Sequence, residues 1–140
     1  SKSQIRQKDG SLMADKIVAF ICTHNVCRSQ MAEALAKYAG YQGYEFCSAG
    51  SVPKEQIDQN AVRIMKEKFG IDMHSQYSKT IRDIPAPDIA ISMGCGVKCP
   101  FIGRNFDDDW GLEDPTGKSD EEYLKVIGQI REQLERTFRK

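Results

Sequence analysis

Cys22, Arg28 and Ser29 stand in the stretch AFICTHNVCRSQ (19–30), where an apolar run stops at a cysteine and an arginine–serine pair follows at a short, fixed distance. Taken as a strand–loop–helix corner, Cys22, Thr23, His24, Asn25, Val26 and Cys27 turn successive backbone N–H groups toward one point, and the start of the next helix adds its positive end. Such a bowl suits a tetrahedral oxyanion. The same field favours a thiolate, so Cys22 is expected to titrate below the free-thiol value of about 8.5. Arg28 is placed to clamp two oxygens of the anion bidentately. Ser29 is placed to hydrogen-bond the Cys22 sulfur and assist its later release, and Asn25 suits a left-handed turn that closes the loop. The competing reading makes Cys22 and Cys27 small buried side chains. That reading is adopted for Cys27; for Cys22 it leaves the arginine and serine at this spacing without a reason.

For the loop to hold that shape, a strand must deliver Cys22 and a helix must begin at Arg28. KIVAFIC (16–22) is a β-branched and apolar run without polar alternation, as expected of a strand covered on both faces. RSQMAEALAKYAG (28–40) carries Met31, Ala32, Leu35, Ala36 and Ala39 at helical spacing and closes on Gly40, a helix stop. YEFCSAG (44–50) reads as a second strand with Cys47 in the core. QIDQNAVRIMKEKFG (56–70) repeats the helical pattern, and DIAISMG (88–94) reads as a third buried strand. RNFDDDW (104–110) has room for a short fourth strand, with Trp110 packing the loop beyond it against the body. SDEEYLKVIGQIREQLERTF (119–138) is an amphipathic closing helix with Tyr123, Val126, Ile127, Ile130, Leu134 and Phe138 on one stripe, and Ser119 with Glu122 has the form of a capping box.

This alternation predicts an α/β three-layer sandwich: a four-stranded parallel sheet with right-handed crossovers and helices on both faces. Ligands in such sheets bind beyond the carboxyl ends of the strands, and both Cys22 and Gly94-Cys95 fall there. The length suits one domain over 14–140, and the polar opening SKSQIRQKDGSL reads as a disordered leader or expression remnant (1–13).

Lys+Arg and Asp+Glu number 20 each, so no net field favours nucleic acid or an anionic membrane surface. No apolar run approaches the roughly 20 residues that a spanning helix needs. Five cysteines, an odd count without a secretion signal, argue against a disulfide scaffold and for a reducing cytoplasm. A monomer is expected.

Cys95 and Cys99, in SMGCGVKCP, allow several readings: a redox pair, a plain regulatory disulfide, inert residues at a strand end, or half of a metal site. The last is disfavoured because only His24 and His74 are available to complete four zinc ligands; no metal is expected. Asp114, before Pro115, is either a turn-former or an acid. A non-enzymatic protein that senses oxyanions or redox state is a further reading of the whole constellation.

The C-x5-R-S pattern of Cys22 to Ser29, with the later Asp114-Pro115, resembles the low-molecular-weight protein tyrosine phosphatases. Together, CTHNVCRSQMAEAL, SAGS, GIDM, MGCGVKCP and DWGLEDPTGK resemble the arsenate reductases that share that fold, over nearly the whole chain after the leader. The resemblance implies Cys22 as nucleophile, Arg28 as oxyanion binder and Asp114 as general acid. It further implies that Cys95 attacks the Cys22–arseno adduct, that Cys99 then attacks Cys95, and that thioredoxin or a similar dithiol reduces the resulting Cys95–Cys99 disulfide. Phosphatases of the fold usually carry an aromatic residue after Asp-Pro; Thr116-Gly117 here favours a small anion such as arsenate over phosphotyrosine, with phosphatase activity as the alternative. His24 stands where relatives often have glycine. Some related reductases hold a potassium ion through residues matching Asn25, Glu33 and Ser48 plus an acidic residue. Lys79 occupies the acidic position, so its ammonium is expected to replace the ion and pair with Glu33, the alternative being a solvated surface lysine. No tightly bound cofactor is expected.

Overall fold

The computed structural model of the chain describes residues 4–6, 12–94 and 102–139. Two short strands, β1 (Gln4–Arg6) and β2 (Leu12–Ala14), pair antiparallel, so the leader expected to be disordered carries a two-stranded ladder of its own, separate from the main sheet. The main sheet contains β3 (Lys16–Cys22), β4 (Tyr44–Gly50), β5 (Ile89–Ser92) and β6 (Asp108–Asp109), in the order β4-β3-β5-β6 and parallel throughout. The strands alternate with three helices: α1 (Arg28–Ala39), α2 (Gln59–Phe69) and α3 (Asp120–Phe138).

β3 is central, and Val18, Ala19, Phe20 and Ile21 are wholly buried, as its unalternating apolar run requires. Val18, Phe20 and Cys22 face the larger core, which also takes the stripes of all three helices. Ala19 and Ile21 face a smaller cluster with Ala49, covered by Ile84, Ile102, Phe106 and Ile81 of a 3-10 turn (Ile81–Asp83). Among the described residues this second face is covered by that helical turn and by loops. The α3 stripe predicted from sequence is buried at every position, and Ser119 caps the helix by accepting from the Glu122 amide.

Two boundaries differ from the periodicity. α2 begins at Gln59, not Gln56, because Asp58 takes an extended conformation and its carboxylate caps the Asn60 amide at 2.9 Å. β5 ends at Ser92, where its ladder with β3 stops. Both α1 and α2 stop on left-handed glycines, Gly40 and Gly70.

β4 leaves β3 one position after the motif begins: Cys22 pairs with Gly50. A Cβ at Gly50 would lie 2.5 Å from the Thr23 carbonyl oxygen and 2.7 Å from that of Cys22. Both are backbone atoms of the loop that follows β3, so the strand grips the loop at a distance only glycine permits. Gly50→Ala is expected to displace that loop and to lower kcat/KM by about 100-fold, while a urea titration finds a stability loss of about 1–3 kcal/mol.

Burial also makes several protons hard to remove. Cys47 is pushed up to about 11 by burial and then by the Glu33 charge, Tyr41 to about 12 by burial and its Glu135 hydrogen bond, and Cys27 is raised further by burial and the Asp58 charge. The unfolded chain releases these protons first as pH passes the ordinary thiol value, so the folded state binds more protons there and stability falls with rising pH. The urea midpoint is expected to drop between pH 9 and about 11, with a shallower fall in Cys47→Ala.

Candidate active site

β3 sits where the sheet order reverses, with β4 on one side and β5 on the other, and the loop 23–27 leaves its carboxyl end into the crevice that such a reversal opens. Asn25 is the only non-glycine residue in the described chain with positive φ, at 55°, the left-handed turn its type suggested. Its side chain is fixed on both sides: Nδ2 donates to Ser29 Oγ at 2.9 Å, and Oδ1 accepts from Gln30 Nε2 at 2.9 Å and the Lys79 amide at 3.1 Å.

The sulfur lies at the centre of this framework. Ser29 Oγ is 2.9 Å from Cys22 Sγ, and the Asn25 amide donates to the same sulfur at 3.2 Å. Because Ser29 Oγ already accepts from Asn25 Nδ2, its own proton is free to point at Cys22, giving the sulfur two donors, the arrangement a thiolate needs when buried. Cys27 stands at the N-cap of α1 without a side-chain cap, so the opening amides of the helix are left to an anion in the loop. The Cys27 thiol is 2% exposed and held protonated by burial, which makes it a packing residue as the sequence suggested. Cys47 is half-buried on β4, donating to the Val18 carbonyl at 3.5 Å.

Cys22, Thr23, His24, Val26, Arg28 and Asp114 all line one cleft of about 760 Å³. Arg28 Nη1 donates to the carbonyls of Met93 at 3.3 Å and Leu112 at 2.8 Å, so the guanidinium at the cleft also ties down the end of β5 and the loop that carries Asp114. Asp114 is exposed on the opposite wall, and its Oδ1 accepts from the Thr116 amide at 3.1 Å and hydroxyl at 2.6 Å. Trp110 is buried, its ring 5.5 Å from that of Phe20, and so anchors this loop to the core. His24 is oriented by Nδ1 donating to the Val52 carbonyl at 2.8 Å, while Ser78 Oγ donates to its carbonyl at 2.7 Å. His74 is exposed and away from the cleft.

Behind the loop lies a polar web that the motif alone does not reveal. Gln30 Nε2 donates to the Asn25 carbonyl at 3.0 Å and the Tyr77 carbonyl at 2.8 Å, and Gln76 Nε2 donates to Gln30 Oε1 at 2.7 Å. The available signal was a glutamine and a glutamate, Gln30 and Glu33, on the face of α1 that is otherwise apolar and buried. Glu33 is 4% exposed. It takes Ser48 Oγ at 2.6 Å and Lys79 Nζ at 3.6 Å on Oε1, and Lys37 Nζ at 2.6 Å on Oε2. Lys79 is 9% exposed, donates to the Tyr77 carbonyl at 3.2 Å and stacks over the Tyr77 ring, so it is not a solvated surface lysine. Asn25, Glu33, Ser48 and Lys79 therefore form one connected group. Cys95 and Cys99 lie outside the described residues.

Comparison with known proteins agrees with this geometry. The family model described as "Low molecular weight phosphotyrosine protein phosphatase" matches residues 17–140. A protein from Synechocystis sp. named "Glutaredoxin arsenate reductase" is 38% identical over 130 residues, covering 89% of this chain and 98% of that protein. A solved structure described as an arsenate reductase in the phosphate binding state is 38% identical with a TM-score of 0.76, over 88% of this chain and 96% of the other. A Corynebacterium glutamicum structure described as a thioredoxin-dependent arsenate reductase is 32% identical with a TM-score of 0.64, over 87% of this chain and 61% of the other. A nucleophile loop matched in sequence and set on the same sheet, within a family match that runs to the last residue, leaves one placement: the chain belongs to the low molecular weight phosphotyrosine protein phosphatase superfamily, among its arsenate reductase relatives.

Proposed function

We propose that the protein is an arsenate reductase, converting arsenate to arsenite through a covalent adduct on Cys22. The observation that carries this reading is the buried Cys22 sulfur, met by Ser29 Oγ and the Asn25 amide at the floor of a cleft whose walls carry Arg28 and Asp114. The Cys22 thiolate attacks arsenic while Arg28 and the loop amides hold the oxygens. An oxygen departs as water, protonated by Asp114. Asp114 Oδ1 is occupied by Thr116, which directs Oδ2 to this proton transfer.

In the next step the Cys95 thiolate attacks the Cys22 sulfur, the S–As electron pair passes to arsenic, and arsenite leaves a Cys22–Cys95 disulfide. Cys99 then attacks Cys95, which releases the Cys22 thiolate and forms Cys95–Cys99. An external dithiol of the thioredoxin type takes up the oxidising equivalent and becomes a disulfide itself, closing a two-electron cycle. The name of the C. glutamicum neighbour supports thioredoxin as that dithiol, and the name of the Synechocystis relative makes glutaredoxin the competing donor.

Phosphotyrosine hydrolysis through a Cys22 phospho-enzyme is the second reading, favoured by the same nucleophile loop and acid. Against it stands the cleft lining: among the described residues it contains no phenylalanine, tyrosine or tryptophan to stack on an aryl group, and Thr116, after Asp114-Pro115, spends its hydroxyl on the acid. A small inorganic anion fits that wall better than an aryl phosphate.

Lys79 fits a cation's place beside Glu33: it supplies one positive charge at a buried carboxylate that also receives Ser48, and its backbone amide reaches Asn25 in the nucleophile loop. Its ammonium serves the structural role that a bound potassium ion would serve.

With thioredoxin, thioredoxin reductase and NADPH, arsenate is expected to drive NADPH oxidation in the wild type. Cys22→Ser abolishes both reductase turnover and aryl phosphate hydrolysis, whereas Cys95→Ser and Cys99→Ser abolish turnover only. Efficient phosphotyrosine hydrolysis without arsenate-dependent NADPH loss would transfer the assignment to the second reading. Thermal midpoint and kcat/KM are expected to match in potassium and sodium chloride at equal ionic strength, because a site filled by Lys79 has no linkage to the ion. A potassium-specific rise in either would overturn the lysine's role.

A further inference from the structure

Away from the sulfur, a second polar junction sits beneath the acid loop. Tyr123, on the buried stripe of α3, is wholly inaccessible, yet its hydroxyl donates to Asp58 Oδ2 at 2.5 Å. Asp58 is itself shared: its Oδ1 caps the first amides of α2 through Asn60, and its backbone amide donates to the Val26 carbonyl in the nucleophile loop at 2.9 Å. Tyr123 stands in the first turn of α3, which follows directly on the Asp114–Gly117 turn, where the Lys118 amide donates to the Pro115 carbonyl at 2.8 Å. Within that turn, Thr116 is the residue that holds Asp114, through its amide and its hydroxyl. Burial and the Asp58 hydrogen bond raise the Tyr123 hydroxyl well above the ordinary phenol range, so it stays a donor at any working pH.

We infer that Tyr123 and Asp58 are positioning residues for the general acid: a buried hydroxyl–carboxylate pair that registers the Asp114–Gly117 turn against the nucleophile loop. A phenylalanine fills the same volume and would satisfy the core, so packing alone does not account for a tyrosine there. The hydroxyl must be hydrogen-bonded to be tolerated at full burial. Its partner Asp58 holds the nucleophile loop at Val26, and its own helix continues the acid loop, the two loops whose separation sets the proton-transfer distance. The pair touches no reacting atom and acts through the start of α3 on one side and Val26 on the other. A misplacement of the acid by a fraction of an ångström lowers the protonation step without altering how the oxyanion is held.

This inference rests on the reading of Asp114 as the proton donor, and the test separates the two. Single-turnover arsenite release is measured for the wild type, Tyr123→Phe, Asp114→Asn and the double variant, with phenyl phosphate hydrolysis in parallel. Phenyl phosphate has a poor leaving group that needs protonation, so the comparison does not depend on arsenate being the substrate. Tyr123→Phe is expected to lower the rate by about tenfold with KM unchanged, and to add nothing in the Asp114→Asn background. Exchange of the Lys118 amide, which donates to the Pro115 carbonyl in the acid turn, is expected to quicken by NMR while the α3 core amides keep their protection. Equal losses in both backgrounds, or a full rate in Tyr123→Phe beside a slow Asp114→Asn, would overturn the positioning role and leave Asp114 standing. A full rate in Asp114→Asn would remove the acid assignment and the inference together.

Discussion

Two hydrogen bonds to one sulfur set the terms for the rest of the molecule. A buried anionic sulfur is costly unless donors replace the water it has lost, and here they come from the Ser29 hydroxyl and the Asn25 amide. Neither donor is correctly aimed without help. Ser29 points at sulfur because Asn25 Nδ2 occupies its acceptor side, and Asn25 holds a left-handed backbone because Gln30 and the Lys79 amide lock its other end. The web of Gln30, Gln76, Glu33 and Lys79 is thus the scaffold of a reactive geometry, and each member is satisfied by at least one other.

The sheet supplies the remaining constraint. β3 runs through the centre of the fold with side chains buried on both faces, so its carboxyl end is among the least mobile points available. β4 closes on that end through Gly50, and Arg28 reaches across to carbonyls at the end of β5 and in the acid loop. On the proposed reading, Cys22 attacks from a rigid strand and Asp114 donates from an exposed loop, a division chemistry favours: the attacking atom must not wander, and the proton donor must let substrate in and product out.

Much of this was legible beforehand because it is local. The apolar run ending at Cys22, the left-handed preference of Asn25, the glycine stops and the α3 stripe are all set within a few residues of themselves, and they stand where the pattern put them. The start of α2 moved because one carboxylate, Asp58, was taken for part of the helix rather than its cap. Gln30, Gln76, Gly50 and Tyr123 were not singled out for the site because their meaning lies in partners distant in sequence. A glutamine on an apolar helix face signals a buried amide, but only the fold reveals that its acceptor is the carbonyl of a nucleophile loop. Lys79 lies 3.6 Å from Glu33, a pairing that the resemblance to a related site suggests and that periodicity alone does not.

Gly94 joins two stretches of backbone in one further way. Its φ is 106°, and a methyl group there would sit 2.6 Å from the Leu112 nitrogen, whose N–H already donates to the Met93 carbonyl. The backbone just ahead of Cys95 and the backbone just ahead of Asp114 are therefore zipped together, with Arg28 stitched across the seam. Peeling one strand of that zipper loosens the other, so under the proposed chemistry a displacement of the Asp114 loop is transmitted to the backbone that precedes Cys95.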